Sequence, residues 1–247
     1  MRRLNAVVRL FRLVGHLFSG LRTLRRDFGG LTDEERQERV QQWSAYALEV
    51  LGVELEVRGS APVLGPVLVV SNHVSWLDIL VINAARPCRF VSKADVKSWP
   101  LLGRLVEEAG TLFIEREKRR DAVRVVHHLA ESLRAGDVLA VFPEGTTGDG
   151  SSVLPFHANL LQAALSAHAP VLPVALGYVH AKDGGLHDAP TYVGDTTLVA
   201  SIWRTLCARD LVARLDFGLP QLAEGRDRRA WAEALREDIR QRLSDVR

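Results

Sequence analysis

The sequence predicts an α/β fold: one domain with a mixed sheet flanked by helices, preceded by an N-terminal amphipathic helical segment that associates with a membrane. Three observations carry this expectation. Short runs rich in Val, Leu and Ile alternate with stretches of helical periodicity, the pattern of strands joined by crossover helices. Two of the most apolar runs, Val67 to Val70 and Val138 to Val141, open directly into polar turns. The 247 residues, 47% of them hydrophobic, suffice for one substantial core, and no repeat or low-complexity stretch divides them. The expected organisation is a helical membrane-associating segment over 1–50 and a domain over 51–247.

The first element is basic and amphipathic. Seven arginines precede the first acid, Asp27. Val7, Leu10, Phe11, Val14, Leu17, Phe18 and Leu21 recur at helical spacing, with Arg9, Arg12, Arg22 and Arg26 mainly on the other side. The longest charge-free run, Leu13 to Leu21, is short of the roughly 20 residues that span a bilayer, so the helix is expected to lie in the interface. Arginines there would meet anionic headgroups at on the order of 1 kcal/mol each. The plain alternative is a helix packed on the core with a solvated basic face. A secretory signal is disfavoured, because arginines interrupt the apolar stretch and no small-residue cleavage site follows.

A second helix begins at Thr32, a capping residue followed by Asp33, Glu34 and Glu35, and runs through Val40, Trp43, Ala47 and Val50 toward Gly52. Strands are expected at Val53 to Val57, Val67 to Val70, Arg89 to Val91, Thr111 to Ile114, Val138 to Val141, Val171 to Leu176 and Ala213 to Phe217. Val125, Leu129 and Leu133 mark a crossover helix between Lys118 and Ala135. His127 and His128 on it diverge by about 100 degrees and have no metal-ligand spacing, so solvated histidines are expected. Trp231, Leu235, Ile239 and Leu243 mark a terminal helix packed on the core.

Composition narrows the function classes. A net charge of +2 gives no reason to invoke nucleic acid. Cys88 and Cys207 are far apart and lack a Cys-x-x-Cys partner, which points to neither a disulfide framework nor zinc. A reducing, cytoplasmic setting agrees with that usage. No Gly-x-Ser-x-Gly elbow supplies a hydrolase nucleophile.

Chemistry concentrates in two polar turns. In Asn72-His73-Val74-Ser75-Trp76-Leu77-Asp78 a strand delivers His73 to a sheet edge, and a helix starting near Ser75 would bring Asp78 back within reach of the imidazole. A carboxylate-oriented histidine can serve as general base for an alcohol attacking a carbonyl. The plain alternative is a histidine that caps the helix and a surface aspartate. The second turn, Phe142-Pro143-Glu144-Gly145-Thr146, also leaves a strand, and ligands of open α/β sheets bind beyond the carboxyl ends of strands. Between the turns lies Gly110-Thr111-Leu112-Phe113-Ile114-Glu115-Arg116, and after them Val171-Leu172-Pro173-Val174-Ala175-Leu176.

These four blocks, in this order, resemble the glycerolipid acyltransferase family that includes the lysophosphatidate (1-acyl-sn-glycerol-3-phosphate) acyltransferases. The family's His-x-x-x-x-Asp is met by His73 and Asp78, its Gly-x-x-Phe-Ile-x-Arg by Gly110, Phe113, Ile114 and Arg116, and its Phe-Pro-Glu-Gly-Thr by residues 142–146. The resemblance implies an acyltransferase-like fold and transfer of a fatty acyl group from acyl-CoA or acyl carrier protein to a lysophospholipid hydroxyl, giving phosphatidate when the acceptor is 1-acyl-sn-glycerol-3-phosphate. It assigns the catalytic pair to His73 and Asp78, and acceptor binding to Arg116, Glu144, Gly145, Thr146 and Lys93. Plain readings stand beside these: a salt bridge for Arg116, a buried structural carboxylate for Glu144, a solvated Lys93. The thioester is a co-substrate, so neither a bound cofactor nor a metal is called for.

One position departs from the family pattern. Thr147 stands where the phosphatidate-forming branch commonly carries a basic residue, and the string to Gly150 looks closer to lyso-ornithine lipid acyltransferases. That acceptor is the alternative, and a non-catalytic lipid-binding module at the membrane surface is the alternative of another class. The partners implied are a lysolipid, an acyl thioester and an anionic membrane surface, with the cytoplasmic face of the inner membrane as the peripheral or monotopic location. The stretch from Val96 through Trp99, Pro100, Leu101 and Leu102 is expected to line a tunnel for the acyl tail or to touch the membrane.

Overall fold

The computed structural model describes residues 2–62, 64–93, 97, 102–114 and 119–246. The chain starts with two antiparallel helices, α1 (Arg2–Arg26) and α2 (Asp33–Leu51). Thr32 caps α2 in a full capping box with Glu35, and Gly52 closes it in the left-handed conformation at φ 73. The alternating part follows as β1 (Val53–Arg58), β2 (Val67–Ser71), α3 (Asp78–Ala85), β3 (Arg89–Lys93), α4 (Leu102–Glu108), β4 (Leu112–Ile114), α5 (Arg119–Arg134), β5 (Val138–Val141), α6 (Leu161–Ala167), β6 (Val171–His180), α7 (Leu198–Cys207), β7 (Leu211–Phe217) and α8 (Arg228–Asp245).

The strands form a seven-stranded mixed sheet in the order β1-β7-β6-β2-β5-β3-β4. Every neighbouring pair is parallel except β6 and β7. The central strands are buried along their whole length, which is why they read as continuous apolar runs. Alternation sorts their side chains. Val67 and Val69 point into a core shared with α1, α2, α3 and α7, whereas Leu68 and Val70 join the core under α5, α6 and α8. Trp231, Leu235, Ile239 and Leu243 are buried, so α8 packs as its spacing predicts.

Two features differ from the expectation. The first concerns α1, whose apolar residues divide between two faces. Ala6, Leu13 and Leu21 are buried against the body, while Leu4, Val8, Phe11 and Phe18 are exposed. Arg9 turns inward instead of outward, because its guanidinium donates to the carbonyls of Leu51 and Leu206, unpaired ends of α2 and α7. The positive φ of Gly52 favours glycine, and a Cβ there would stand 2.3 Å from that guanidinium and displace it from these carbonyls. The second concerns the turn after β2, where the helix starts at Asp78 and not near Ser75. The amides of Val74 and Ser75 bond to the Asp78 carboxylate, which holds this stretch as a turn.

Candidate active site

β2 and β5 are hydrogen-bonded neighbours in parallel, with Val70 opposite Val141, so their polar turns leave the same edge side by side. At that edge the Asn72 side chain continues the ladder where β2 stops. Its amide donates to the Leu176 carbonyl at 2.8 Å and its oxygen accepts from the Leu176 amide at 2.9 Å. The next residue, His73, is thereby fixed in direction. Its ring stacks on Phe142 from the neighbouring turn, with centroids 3.9 Å apart and planes within 8°.

His73 Nδ1 lies 2.7 Å from Asp78 Oδ2. A carboxylate only accepts, so the proton of the neutral ring sits on Nδ1 and Nε2 is the nitrogen left to a substrate. Asp78 is fully buried and its charge is shared among donors: the Val74 amide at 2.7 Å and the Ser75 amide at 3.0 Å reach the same Oδ2. Its other oxygen, Oδ1, accepts from the Tyr178 hydroxyl at 2.7 Å. Burial first, and then the Asp78 charge, push the Tyr178 hydroxyl well above its ordinary range, so it remains a donor.

Glu144 ties the two turns together. Oε2 accepts from the His73 amide at 3.1 Å and Oε1 from the Leu154 amide at 3.0 Å. Burial raises its carboxyl to about 7, against the opposing pull of those two amides. These bonds are those of the structural carboxylate weighed for it, and each oxygen keeps a lone pair for a further donor. Further bonds latch the third block. Gly148 donates to the His73 carbonyl at 2.7 Å, Tyr192 to the Val74 carbonyl at 3.2 Å, and the Thr147 hydroxyl to the Tyr192 carbonyl.

His73 opens onto a cavity of about 710 Å³ between α1, α2, α3 and the sheet edge. That lies within the range of roughly 300–1,000 Å³ usual for small-ligand sites. Its wall is mostly apolar, with Leu13, Leu17, Leu24, Trp43, Ile79 and Leu105 along the body and Gly145, Thr146 and Thr147 beside His73. Gly145, at the left-handed φ of 72 that favours glycine, lines the cavity. The structure therefore brings together His73, Asp78, Glu144, Gly145 and Thr146. Arg116 and most of the stretch 96–102 lie outside the described residues, as does the side chain of Lys93, the last residue of β3.

Two members of the constellation escaped the sequence reading. Tyr178 lies a hundred positions from Asp78 and outside the four blocks, although its parity with Val174 and Leu176 on β6 puts it on the same face. Tyr192 sits in an irregular segment with no periodic signal. Elsewhere, His127 and His128 are exposed on α5 beside Glu131, and among the described residues no group of His, Cys, Asp and Glu could hold a metal ion. Cys88 and Cys207 are free thiols.

Residues 53–177 match the family model described as Acyltransferase. The chain is 39% identical over 239 residues, 96% of its own length and 92% of the relative's, to the 1-acyl-sn-glycerol-3-phosphate acyltransferase of Neisseria meningitidis. The chain belongs to the acyltransferase family. A second relative of this acyltransferase is the lyso-ornithine lipid O-acyltransferase of Pseudomonas aeruginosa, 37% identical over 97% of this chain and 94% of that one. The same fold occurs in the crystal structure of the 1-acyl-sn-glycerophosphate acyltransferase PlsC from Thermotoga maritima, with a TM-score of 0.70 at 19% identity, covering 100% of this chain and 98% of that one. The α/β acyltransferase fold expected from the four blocks is thus the fold observed.

Proposed function

We propose that this acyltransferase moves a fatty acyl group from an acyl thioester, on coenzyme A or acyl carrier protein, to the hydroxyl of a lysophospholipid such as 1-acyl-sn-glycerol-3-phosphate. The observation that carries the reading is the His73–Asp78 pair, held at 2.7 Å at the wall of an apolar cavity. A thioester is already activated, so no enzyme nucleophile is required. His73 Nε2 takes the proton as the acceptor oxygen bonds to the acyl carbon, and the imidazolium returns it to the sulfur as the carbon–sulfur bond breaks. Asp78 holds the productive tautomer and stabilises the transient imidazolium. The acyl tail lies among Leu13, Leu17 and Trp43.

The acceptor has a second reading. Thr147 carries no charge, and its hydroxyl is engaged with the Tyr192 carbonyl, so it offers an acceptor phosphate no cation. That favours lyso-ornithine lipid, and turnover of the two acceptors under one donor decides between them. Free thiol release is the assay. His73→Ala is expected to lower acceptor-dependent release by at least about 100-fold, the lower end of a general base's contribution, with an unchanged circular dichroism spectrum. Lipid binding without His73-dependent release would identify a non-catalytic module instead.

The membrane reading rests on α1. Its 25 residues include a segment, Leu4–Arg26, long and apolar enough to cross a membrane by length and composition. Yet its inner face is buried from Ala6 to Leu21, and a helix packed side-on along the body cannot cross without taking the body with it. The outward row, Leu4, Val7, Val8, Phe11, Val14 and Phe18, suits a helix lying in the interface of the inner membrane's cytoplasmic leaflet, monotopic rather than spanning.

A further inference from the structure

β2 stops at Ser71, opposite Val174 on β6, but β6 runs on to His180. The overshoot carries Tyr178 four residues past that level, about 13 Å further, where α3 begins. Tyr178 is there among the largest fully buried side chains, facing a fully buried carboxylate. Opposite it on β7 stands Ala213, small enough to leave the ring its place.

We infer that Tyr178 is a positioning residue for acyl transfer: its hydroxyl holds Asp78 Oδ1 so that Oδ2 stays aimed at His73 Nδ1. The inference rests on the reading of His73 as the base. Asp78 Oδ2 already meets three donors, the His73 ring and the amides of Val74 and Ser75, whereas Tyr178 is the donor at Oδ1. A buried carboxylate oxygen stripped of its donor leaves an uncompensated acceptor where it cannot find water. The carboxylate then relieves that loss by turning or by drawing harder on the histidine proton, and either response alters the base. Hydrophobic packing alone would be served equally by phenylalanine, which fills the same volume without the hydroxyl. The tyrosine is thus explained by its oxygen and not by its ring.

The test is Tyr178→Phe in the full chain, in detergent micelles with a lysolipid acceptor. The expected result is a fall in kcat of roughly 10- to 100-fold, the scale of one hydrogen bond to a charged group, with KM for donor and acceptor nearly unchanged. In an Asp78→Asn background the same substitution is expected to change kcat by less than about twofold, because the partner it acts through is gone. Wild-type kcat in the single variant, an effect confined to KM, or the same factor in both backgrounds overturns the inference. The His73 Nδ1 proton resonance is read in parallel, without turnover. Incorporating 3-fluorotyrosine at 178, which keeps shape and hydroxyl but strengthens the donor, is expected to move that resonance upfield as Asp78 is drawn toward the Tyr178 hydroxyl. An unmoved resonance overturns the inference even if Tyr178→Phe does not fold. A resonance that moves while His73→Ala retains turnover would leave the hydrogen-bonded chain standing and sink only the reading of His73 as base.

Discussion

Glu144 links the site's stability to pH. Its carboxyl titrates near 7 in the folded protein and at 4.5 when solvated, so the folded state binds the proton more tightly. The sign follows from linkage: the stability this gives is complete below about 4.5 and is lost as pH rises through about 7. Glutamine at 144 cannot titrate, and its amide nitrogen would confront one of the backbone amides of His73 and Leu154 as a second donor. Glu144→Gln is therefore expected to destabilise by about 1–3 kcal/mol at pH 5. The gap between wild type and variant should narrow by on the order of 2 kcal/mol between pH 5 and pH 8, a range set by the size of the shift. Denaturant unfolding at both pH values checks it, and a gap independent of pH would show that Glu144 is ionised throughout.

At the scale of elements, α1 holds two glycines whose surroundings differ sharply. A methyl added at Gly15 would find no atom within 4 Å, whereas one added at Gly20 would stand 2.7 Å from Trp43 Nε1 and 3.1 Å from Leu105 Cδ2. Trp43 cannot easily withdraw, being stacked on His16 with centroids 4.6 Å apart. Gly15→Ala is expected to gain up to about 1 kcal/mol of helix propensity, and Gly20→Ala to lose more than that gain through a crowding cost of about 1–3 kcal/mol. Thermal midpoints should move in opposite directions, by roughly 2–4 °C per kcal/mol. The same helix shows what the sequence could convey. Strands β2 and β5, the cap at Thr32 and the His73 to Asp78 spacing were legible because each is a local pattern. The inward turn of Arg9 was not, since it depends on carbonyls at Leu51 and Leu206 that only the tertiary fold brings to one place. Helices α6 and α7 are short, seven and ten residues, and periodicity is weak over so few turns. Tyr178 and Tyr192 reach the site through contacts 100 and 45 residues distant in the chain, which no window of sequence contains.

At the scale of the whole molecule, sheet order and helix placement combine to set an apolar outer face beside the cavity. The edge that carries His73 and Glu144, at the ends of β2 and β5, faces a cavity whose other wall is α1 and α2, and the outer surface of α1 is itself apolar. A protein so built can hold an acyl tail on one side of a helix while the other side of that helix rests among lipid tails. Phe11, Val14 and Phe18 form one exposed row along the outer face, which makes them the positions to label for the proposed interfacial arrangement. If α1 lies in the interface, spin labels at Phe11→Cys, Val14→Cys and Phe18→Cys, each in a chain with Cys88 and Cys207 replaced by alanine, will report similar depths in anionic vesicles. If α1 crosses the bilayer upright, seven residues at 1.5 Å rise separate Phe11 from Phe18 by about 10 Å along the normal. Oxygen and nickel collision rates resolve that difference. Equal depths are expected; a gradient approaching 10 Å would require the body to enter the membrane with the helix, and would overturn the monotopic arrangement.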